Sequence, residues 1–127
     1  LTQGDRLYYL VNVLGGEVHN GGFDQFFTNS SGDRYSETVV ALKEVGAKRS
    51  LALLLDAKLI LFPNNEVPSD RMTRCEMMPT WEEDHPNFSA ASAALDELDK
   101  QFYANQDELS QVLDCLAVTH KLYAGDS

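Results

Sequence analysis

Apolar residues recur at the spacing of an α-helix along most of this sequence, in segments that glycine and proline separate. The first segment, residues 5–19, has Asp5 as a candidate N-cap and carries its apolar stripe at Leu7, Leu10, Val11, Leu14 and Val18. No stretch alternates polar and apolar residues for long enough to indicate a β-strand. The pattern predicts an all-α fold, a compact bundle of five or six helices with one long proline-containing connection.

The other apolar segments predict further helices, a short one at 23–27 and longer ones at 34–46, 47–62, 88–104 and 107–123. Ser36 and Ser89 are candidate N-caps, and Gly46 is expected to end its helix. Segment 47–62 is apolar on nearly all sides beyond its first turn, which predicts the buried centre of the bundle. Within the first helix, Gly15 and Gly16 are expected either to produce a kink or to allow close approach of another helix.

All four prolines fall within residues 63–87. This composition predicts a long irregular connection with a short helix around residues 69–77. Loops of this length are uncommon in compact domains, so the connection is itself a candidate functional segment. The interpretation we favour is that side chains such as Trp81 pack it onto the bundle.

Two glycine-containing turns enclose a phenylalanine-rich segment between residues 20 and 33. The first turn is expected to stop the first helix with a glycine in the left-handed conformation, and residues 29–33 are expected to form a loop. In one interpretation this is a ligand loop whose polar contacts are Asn20, Asp24, Gln25 and Asn29. We favour a structural interpretation, in which the phenylalanines fill the core while Asn29 and Asp33 bond the backbone of their own turns.

Charge is distributed unevenly along the chain, whose net charge is -10. Residues 1–63 hold seven acidic and six basic side chains, a net of -1, whereas residues 64–127 hold thirteen acidic and four basic ones, a net of -9. A negative field repels nucleic acid and attracts basic surfaces. The predicted partner is therefore a basic protein surface, and direct binding of nucleic acid is excluded. The competing interpretation is that the acidity serves solubility alone.

Between residues 76 and 114 the chain has ten acidic side chains and a single basic one, Lys100. One helical turn advances about 5 Å, and phosphates of a DNA strand follow one another at a broadly similar spacing. Rows of carboxylates on two helices would therefore imitate a duplex edge, unless they form ordinary solvated helix faces. The candidate partner-binding residues are Glu76, Glu82, Glu83, Asp84, Asp96, Glu97, Asp99, Asp107, Glu108 and Asp114.

Catalytic and metal-binding patterns are missing from the sequence. The histidines His19, His85 and His120 are scattered. Cys75 and Cys115 match no metal spacing and indicate buried thiols in a reducing compartment. Neither a nucleophile elbow nor a zinc-protease or dinucleotide motif is present. We expect no catalytic residues, no metal and no cofactor.

The sequence has no apolar run long enough for a membrane span and no signal-peptide pattern at its start. Residues 1–127 are expected to form a single acidic helical domain in the cytoplasm. The first residue is Leu1 and not Met, which is consistent with a piece of a longer protein.

The segment EVHNGGFDQFF at residues 17–27, followed by NSSGD at residues 29–33, resembles the DNA-mimic protein family of small acidic bacterial proteins. Weaker matches include ETVVAL at residues 37–42 and LDELD at residues 95–99, and the resemblance spans roughly residues 7–123. Its most specific residues are Asn20, Gly21, Gly22, Phe23, Asn29, Gly32 and Asp33. The resemblance implies an all-helical fold, a homodimer and, for at least one member, surface carboxylates that imitate DNA phosphates and occupy a DNA-binding protein.

Three functions remain open from the sequence. The first is a non-enzymatic acidic protein that occupies a basic surface on a DNA-binding protein. The second is a toxin-neutralising or immunity-type module, which blocks an enzyme's active site. The third is an enzyme of unknown type, which predicts a deep pocket with converging polar groups near Asn20–Asp33 or near His85.

Overall fold

A computed structural model describes residues 2–78 and 88–119 of the chain. Within these ranges it contains helices only and no strand, which confirms the all-α prediction. A 3₁₀ helix at Ser30–Arg34 accompanies six α-helices: α1 (Gln3–Thr28), α2 (Tyr35–Val45), α3 (Lys48–Leu61), α4 (Arg71–Met77), α5 (Phe88–Ala104) and α6 (Gln106–Thr119).

Helix α1 begins earlier than the sequence predicted, because Thr2 and not Asp5 is its N-cap. The Thr2 hydroxyl accepts a hydrogen bond from the Asp5 backbone N–H at 3.1 Å, and the Asp5 carboxylate accepts one from the Thr2 backbone N–H at 3.2 Å. This reciprocal pair is a capping box, in which Asp5 occupies the third helical position. The N-cap therefore lies three residues before the predicted position, and Asp5 completes the capping box from within the first turn.

Helix α1 is kinked at Gly21–Gly22 and then continues to Thr28, so the predicted stop is a change of direction within one element. Gly21 has φ -154° and Gly22 has φ +79°, both outside the helical range. The predicted helix at residues 23–27 is the last part of α1. Gly15 and Gly16 do not break the helix. A Cβ at Gly15 would lie 3.7 Å from Leu109 Cδ1, so this glycine lies where α6 packs against α1.

The core forms around α1, which packs against α2, α4, α5 and α6. Fully buried side chains from α1 include Val11, Leu14, Val18 and Phe23. Segment 47–62 was predicted to be the buried centre, and this is wrong. Although α3 buries Leu53, Leu54, Ala57 and Leu61, it leaves Leu59 57% exposed and Leu55 38% exposed.

Of residues 29–33, which were predicted to form a loop, residues 30–33 belong to the 3₁₀ helix, and α2 follows it directly. Because α2 already begins at Tyr35, Ser36 lies inside the helix and is not its N-cap. Gly46 ends α2 as predicted, with φ +75° in the left-handed region, where its N–H bonds the carbonyls of Leu42 and Lys43.

The connection after α3 contains α4, close to the short helix predicted around residues 69–77. The Asp70 side chain caps α4 by accepting the Thr73 backbone N–H at 2.9 Å. Helix α5 has the predicted bounds, and the prediction that Ser89 caps it lies outside the described side chains. Helix α6 begins one residue before the predicted start. The prediction that Trp81 packs the connection onto the bundle lies outside the described residues, as does that of a helix beyond Thr119.

Candidate functional site

The kink of α1 is held by a carboxylate from a distant part of the chain. Asp99, on α5, accepts a hydrogen bond from the Phe23 backbone N–H at 2.9 Å. Phe23 starts the second part of α1, so Asp99 supplies the cap that the broken helix lacks within its own segment. Gly22 is buried here, and any Cβ on it would overlap the Asp99 carboxylate. Both its positive φ and this contact require glycine.

The charges of three carboxylates interact near the kink, and we call these residues the kink cluster: Asp24, Asp96 and Asp99. Burial raises the pKa of Asp99, the hydrogen bond from Phe23 acts in the opposite direction, and the charges of Asp96 and Asp24 raise it further. In the sequence, the glycine-rich motif and the acidic excess lie about seventy positions apart. In the fold they are in contact, so the motif and the acidic half form one region.

Aromatic contacts fix α5 beside the kink. Phe102 packs edge-on against Phe23, with ring centroids 5.4 Å apart. The Tyr103 hydroxyl donates to the Val18 carbonyl oxygen at 2.9 Å, and the Tyr103 ring stacks on His19 at a centroid distance of 5.3 Å. Burial, with the charges of Asp99 and Asp96, raises the pKa of Tyr103. His19 is therefore a packing partner of α5.

A second distant carboxylate caps the start of α3. Glu108, in the first turn of α6, accepts hydrogen bonds from the Ser50 N–H at 2.8 Å, the Ser50 hydroxyl at 2.7 Å and the Arg49 N–H at 3.2 Å. The Asn105 side chain adds a fourth donor at 3.3 Å. Burial acts to raise the pKa of Glu108, but these hydrogen bonds outweigh it and the pKa lies below its ordinary value. Glu108 replaces the side-chain cap that Ala47 cannot provide.

The predicted partner-binding residues therefore divide into groups. Asp99 and Glu108 bond backbone N–H groups inside the fold. The acidic side chains exposed to solvent are Glu76, Asp96, Glu97, Asp107 and Asp114. The remaining three, Glu82, Glu83 and Asp84, lie outside the described residues.

A buried arginine, which the sequence analysis did not single out, joins the connection to the end of α1. Arg74 of α4 is completely buried, and its guanidinium donates to the carbonyl oxygens of Phe27 at 2.7 Å, Asn29 at 2.8 Å and Pro68 at 3.0 Å. It also pairs with the Asp33 carboxylate at 2.8 Å. We call this group the Arg74 clasp. Cationic donors stabilise the open carbonyls at a helix C-terminus.

The clasp explains the second half of the family motif and corrects two predictions. A Cβ at Gly32 would lie 2.7 Å from Arg74 Nε, so a side chain there would displace the guanidinium. Asp33 pairs with Arg74, and the Asn29 amide donates to Glu17 at 3.1 Å. Neither side chain bonds the backbone of its own turn, as had been expected. Both instead bond residues from other segments.

Of the polar residues proposed as contacts of a ligand loop, Gln25 and Asn29 both donate to Glu17. Phe23, Phe26 and Phe27 are fully buried, which confirms the predicted placement of the phenylalanines. A cavity of about 310 Å³ lies beside the 3₁₀ helix. Among its polar lining residues, Glu17, Ser31, Asp33 and Thr38 have hydrogen bonds or ion pairs inside the fold, while Ser30 and Arg34 also line it. The enzyme hypothesis for Asn20–Asp33 stays a prediction, and His85 lies outside the described residues.

Comparison with known proteins gives one match. The family model described as DMP19-like protein matches residues 1–120. No curated protein and no solved structure matches the chain. Among the described residues, no group of three or more histidine, cysteine or acidic side chains is arranged to hold a metal ion. In the same part of the chain, no helix combines the length and apolarity needed to cross a membrane.

Proposed function

The chain belongs to the DMP19-like protein family, a family of DNA-mimic proteins, and on that premise we propose that it occupies the basic surface of a DNA-binding protein through its last two helices. The observation that supports this proposal is the exposure of Asp96, Glu97, Asp107 and Asp114. Within the described residues, α5 and α6 carry these carboxylates with a single basic side chain, Lys100, between them. The first three helices carry nearly balanced charge.

The spacing along α6 supports the imitation of a DNA strand. Asp107 and Asp114 are seven residues apart, which is two helical turns and places them on one face about 10.5 Å apart along the axis. Phosphates of one DNA strand advance about 3.4 Å per step along the duplex axis and also turn around it, so α6 repeats their axial rise but not their turn. Asp107 and Asp114 therefore present two negative charges in a row on one helix face, which a basic surface complements.

The kink cluster contributes to the same negative field. Asp96 lies one turn from Asp99 and acts on its charge, as Asp24 does from α1. We include Asp24 and Asp96 in the proposed surface, with Asp99 as the residue that fixes their geometry. Of the undescribed acidic residues, Glu82, Glu83 and Asp84 stay predicted members of it, as does the exposed Glu76 on α4. The homodimer that the family resemblance implies also stays a prediction, for sedimentation analysis to test.

The test is capture from a host lysate on the immobilised protein at low salt, followed by elution with duplex DNA or with stepwise salt. We expect one retained protein that elutes with duplex DNA and also with salt, and that binds duplex DNA once purified. The reason is that this chain and duplex DNA would compete for the same basic surface. The variant D96N/E97Q should lose much of this retention. The matched control D56N/E66Q removes the same number of exposed charges elsewhere and should keep it.

Three results would contradict the proposal. One is that nothing specific is retained at low salt. Another is that both variants lose retention equally, which would mean that net charge alone is responsible. The third is that the retained protein does not bind DNA and is instead an enzyme whose activity the chain blocks, which would establish the toxin-neutralising alternative.

A further inference from the structure

Helices α2 and α6 both pack on the first part of α1 and leave a groove between them. The groove has a volume of about 700 Å³, within the range of about 300–1,000 Å³ that is common for binding pockets. Its apolar wall is formed by Leu7 of α1, Val45 at the end of α2, and Val112 and Leu116 of α6. Three of these four side chains are only partly buried, so apolar surface is left accessible.

The groove continues along α2 into a second hollow of about 420 Å³, which shares Leu7 and Glu44 with it. Val40 lines this hollow and is 54% exposed. The two hollows adjoin at Leu7 and Glu44, and the second lies between α1 and α2 alone. A groove between two helices with a third helix below it, as in the larger hollow, is suited to an amphipathic helix, whose apolar side chains recur every three or four residues.

The rim of the groove is acidic on both sides. Glu44 stands on the α2 side, and Asp107 and Glu108 stand on the α6 side. No lysine or arginine is among the described residues that line the 700 Å³ groove. The one basic residue in the adjoining hollow, Arg6, is paired with Glu37. The occupant that complements this lining carries cations beside an apolar stripe.

We propose that this groove is a docking site for a basic amphipathic helix of a partner protein. Apolar side chains of that helix would lie on Leu7, Val45 and Val112, with lysine or arginine beside Glu44 and Asp107. This goes beyond the proposed imitation of DNA, because an apolar anchor has no equivalent in a phosphate backbone. The salt dependence of binding should therefore be weaker here than on an all-carboxylate surface.

Cys75 and Cys115 were predicted to be buried, and this is wrong, because both are exposed. The two thiols therefore supply a direct probe with an internal control. Cys115 lines the groove, whereas Cys75 lies on α4 at the other end of α1, 3.6 Å from the Thr28 carbonyl oxygen. The ligand is a synthetic helix with leucines at positions i, i+3 and i+7 and lysines elsewhere. Its occupancy should slow maleimide labelling of Cys115 at least fivefold while leaving the labelling of Cys75 unchanged. A scrambled peptide of the same composition should protect neither thiol.

Fluorescence anisotropy of the same peptide, now carrying a fluorophore, measures how much the acidic rim contributes to binding. E44K/D107K should raise its Kd tenfold or more, and the matched charge reversal D56K/E66K should change it less than twofold, because Asp56 and Glu66 are exposed outside the groove. Circular dichroism melting curves of both variants verify that they are folded. Equal effects of the two variants, or failure to protect Cys115, would overturn the proposal. So would protection of Cys115 that rises with protein concentration in the absence of peptide, since the occupant would then be a second copy.

Discussion

Asp99 and Glu108 perform the same task at two different helix starts, yet their surroundings give their carboxylates opposite pKa directions. Each reaches from a late helix to the backbone N–H groups at the start of an earlier one. Glu108 gathers four donors, and its pKa is lowered. Asp99 gathers one backbone donor beside Asp96 and Asp24, and burial raises its pKa. Burial acts to raise both pKa values, and the sign depends on whether enough hydrogen-bond donors oppose it.

This difference between Asp99 and Glu108 shows that the acidic residues of this chain do not all serve one purpose. The fold stabilises the charged form of Glu108, and the hydrogen bonds of this carboxylate hold α6 against the start of α3. Asp99 is a charge that the fold tolerates at the centre of an acidic region, where it keeps the kink in place. Counting carboxylates along the sequence treats these two residues as equal to Asp114, which is exposed.

The largest effect is expected at Gly22, where the kink and Asp99 meet. Gly22→Ala should destabilise the fold by about 3 kcal/mol, because a left-handed alanine costs about 1–2 kcal/mol and the displaced Asp99 cap about 1 more. Gly46→Ala is the matched control, since its φ is also positive but a Cβ there would have no neighbour within 4 Å. It should lose only about 1–2 kcal/mol in urea unfolding. Equal losses would show that Asp99 is not pressed against the kink.

The two caps should differ next in their contribution to stability. Glu108→Ala removes the acceptor for four donors and should destabilise the fold by about 2 kcal/mol, whereas Asp99→Ala, with one donor, should cost about 1 kcal/mol. Glu108→Gln keeps one acceptor oxygen and should fall between Glu108→Ala and the wild type. The midpoints of urea unfolding at pH 7 give this order. A larger loss for Asp99→Ala would reverse the comparison.

Lowering the pH should change the stabilising contributions of Glu108 and Asp99 in opposite directions. The folded-state pKa of Glu108 is lowered, so its stabilisation is present above the unfolded pKa of about 4.3 and is lost as pH falls through the lower folded value. Glu108→Gln should therefore lose less stability than the wild type between about pH 6 and pH 3. A wild-type slope in that variant would mean that Glu108 does not contribute to acid unfolding.

The smallest effect is expected from neutralising Asp99 without removing its acceptor. Its folded-state pKa is raised, so its contribution is greatest below the unfolded pKa of about 3.9 and disappears as pH rises through the folded value. Asp99→Asn mimics the protonated form and should leave stability at pH 7 unchanged or slightly higher. Thermal unfolding at pH 7 and at about pH 4 checks this. A clear loss at pH 7 would show that the kink needs the charge itself.

Local sequence patterns predicted the fold class and several boundaries, because the signals involved lie within one segment. The apolar stripe and Gly46 define α2, and α5 has the predicted bounds. The errors arose where a boundary depends on a distant residue. The kink does not end α1 because Asp99 caps the second part, and α3 starts without a side-chain cap of its own because Glu108 supplies one.

The sequence predicted which acidic residues belong to the proposed surface as a group, but not which of them are exposed. Spacing alone did not distinguish the bonded Asp99 and Glu108 from the exposed Asp107 and Asp114. Arg74 escaped notice because an arginine in a proline-rich connection normally indicates a solvated side chain. A usable signal was present in Asp70 and Thr73, which cap a short helix with Arg74 in its first two turns.

Helix α4 is attached to the molecule almost entirely by polar bonds. Arg74 is its only buried side chain, and seven residues are too few for a stable helix in isolation. Opening of the clasp would therefore release α4 while exposing very little apolar surface. Such an event has a small denaturant dependence and almost no heat-capacity change. Urea curves would not reveal it, but the amides of residues 74–78 would exchange with solvent faster than those of α1.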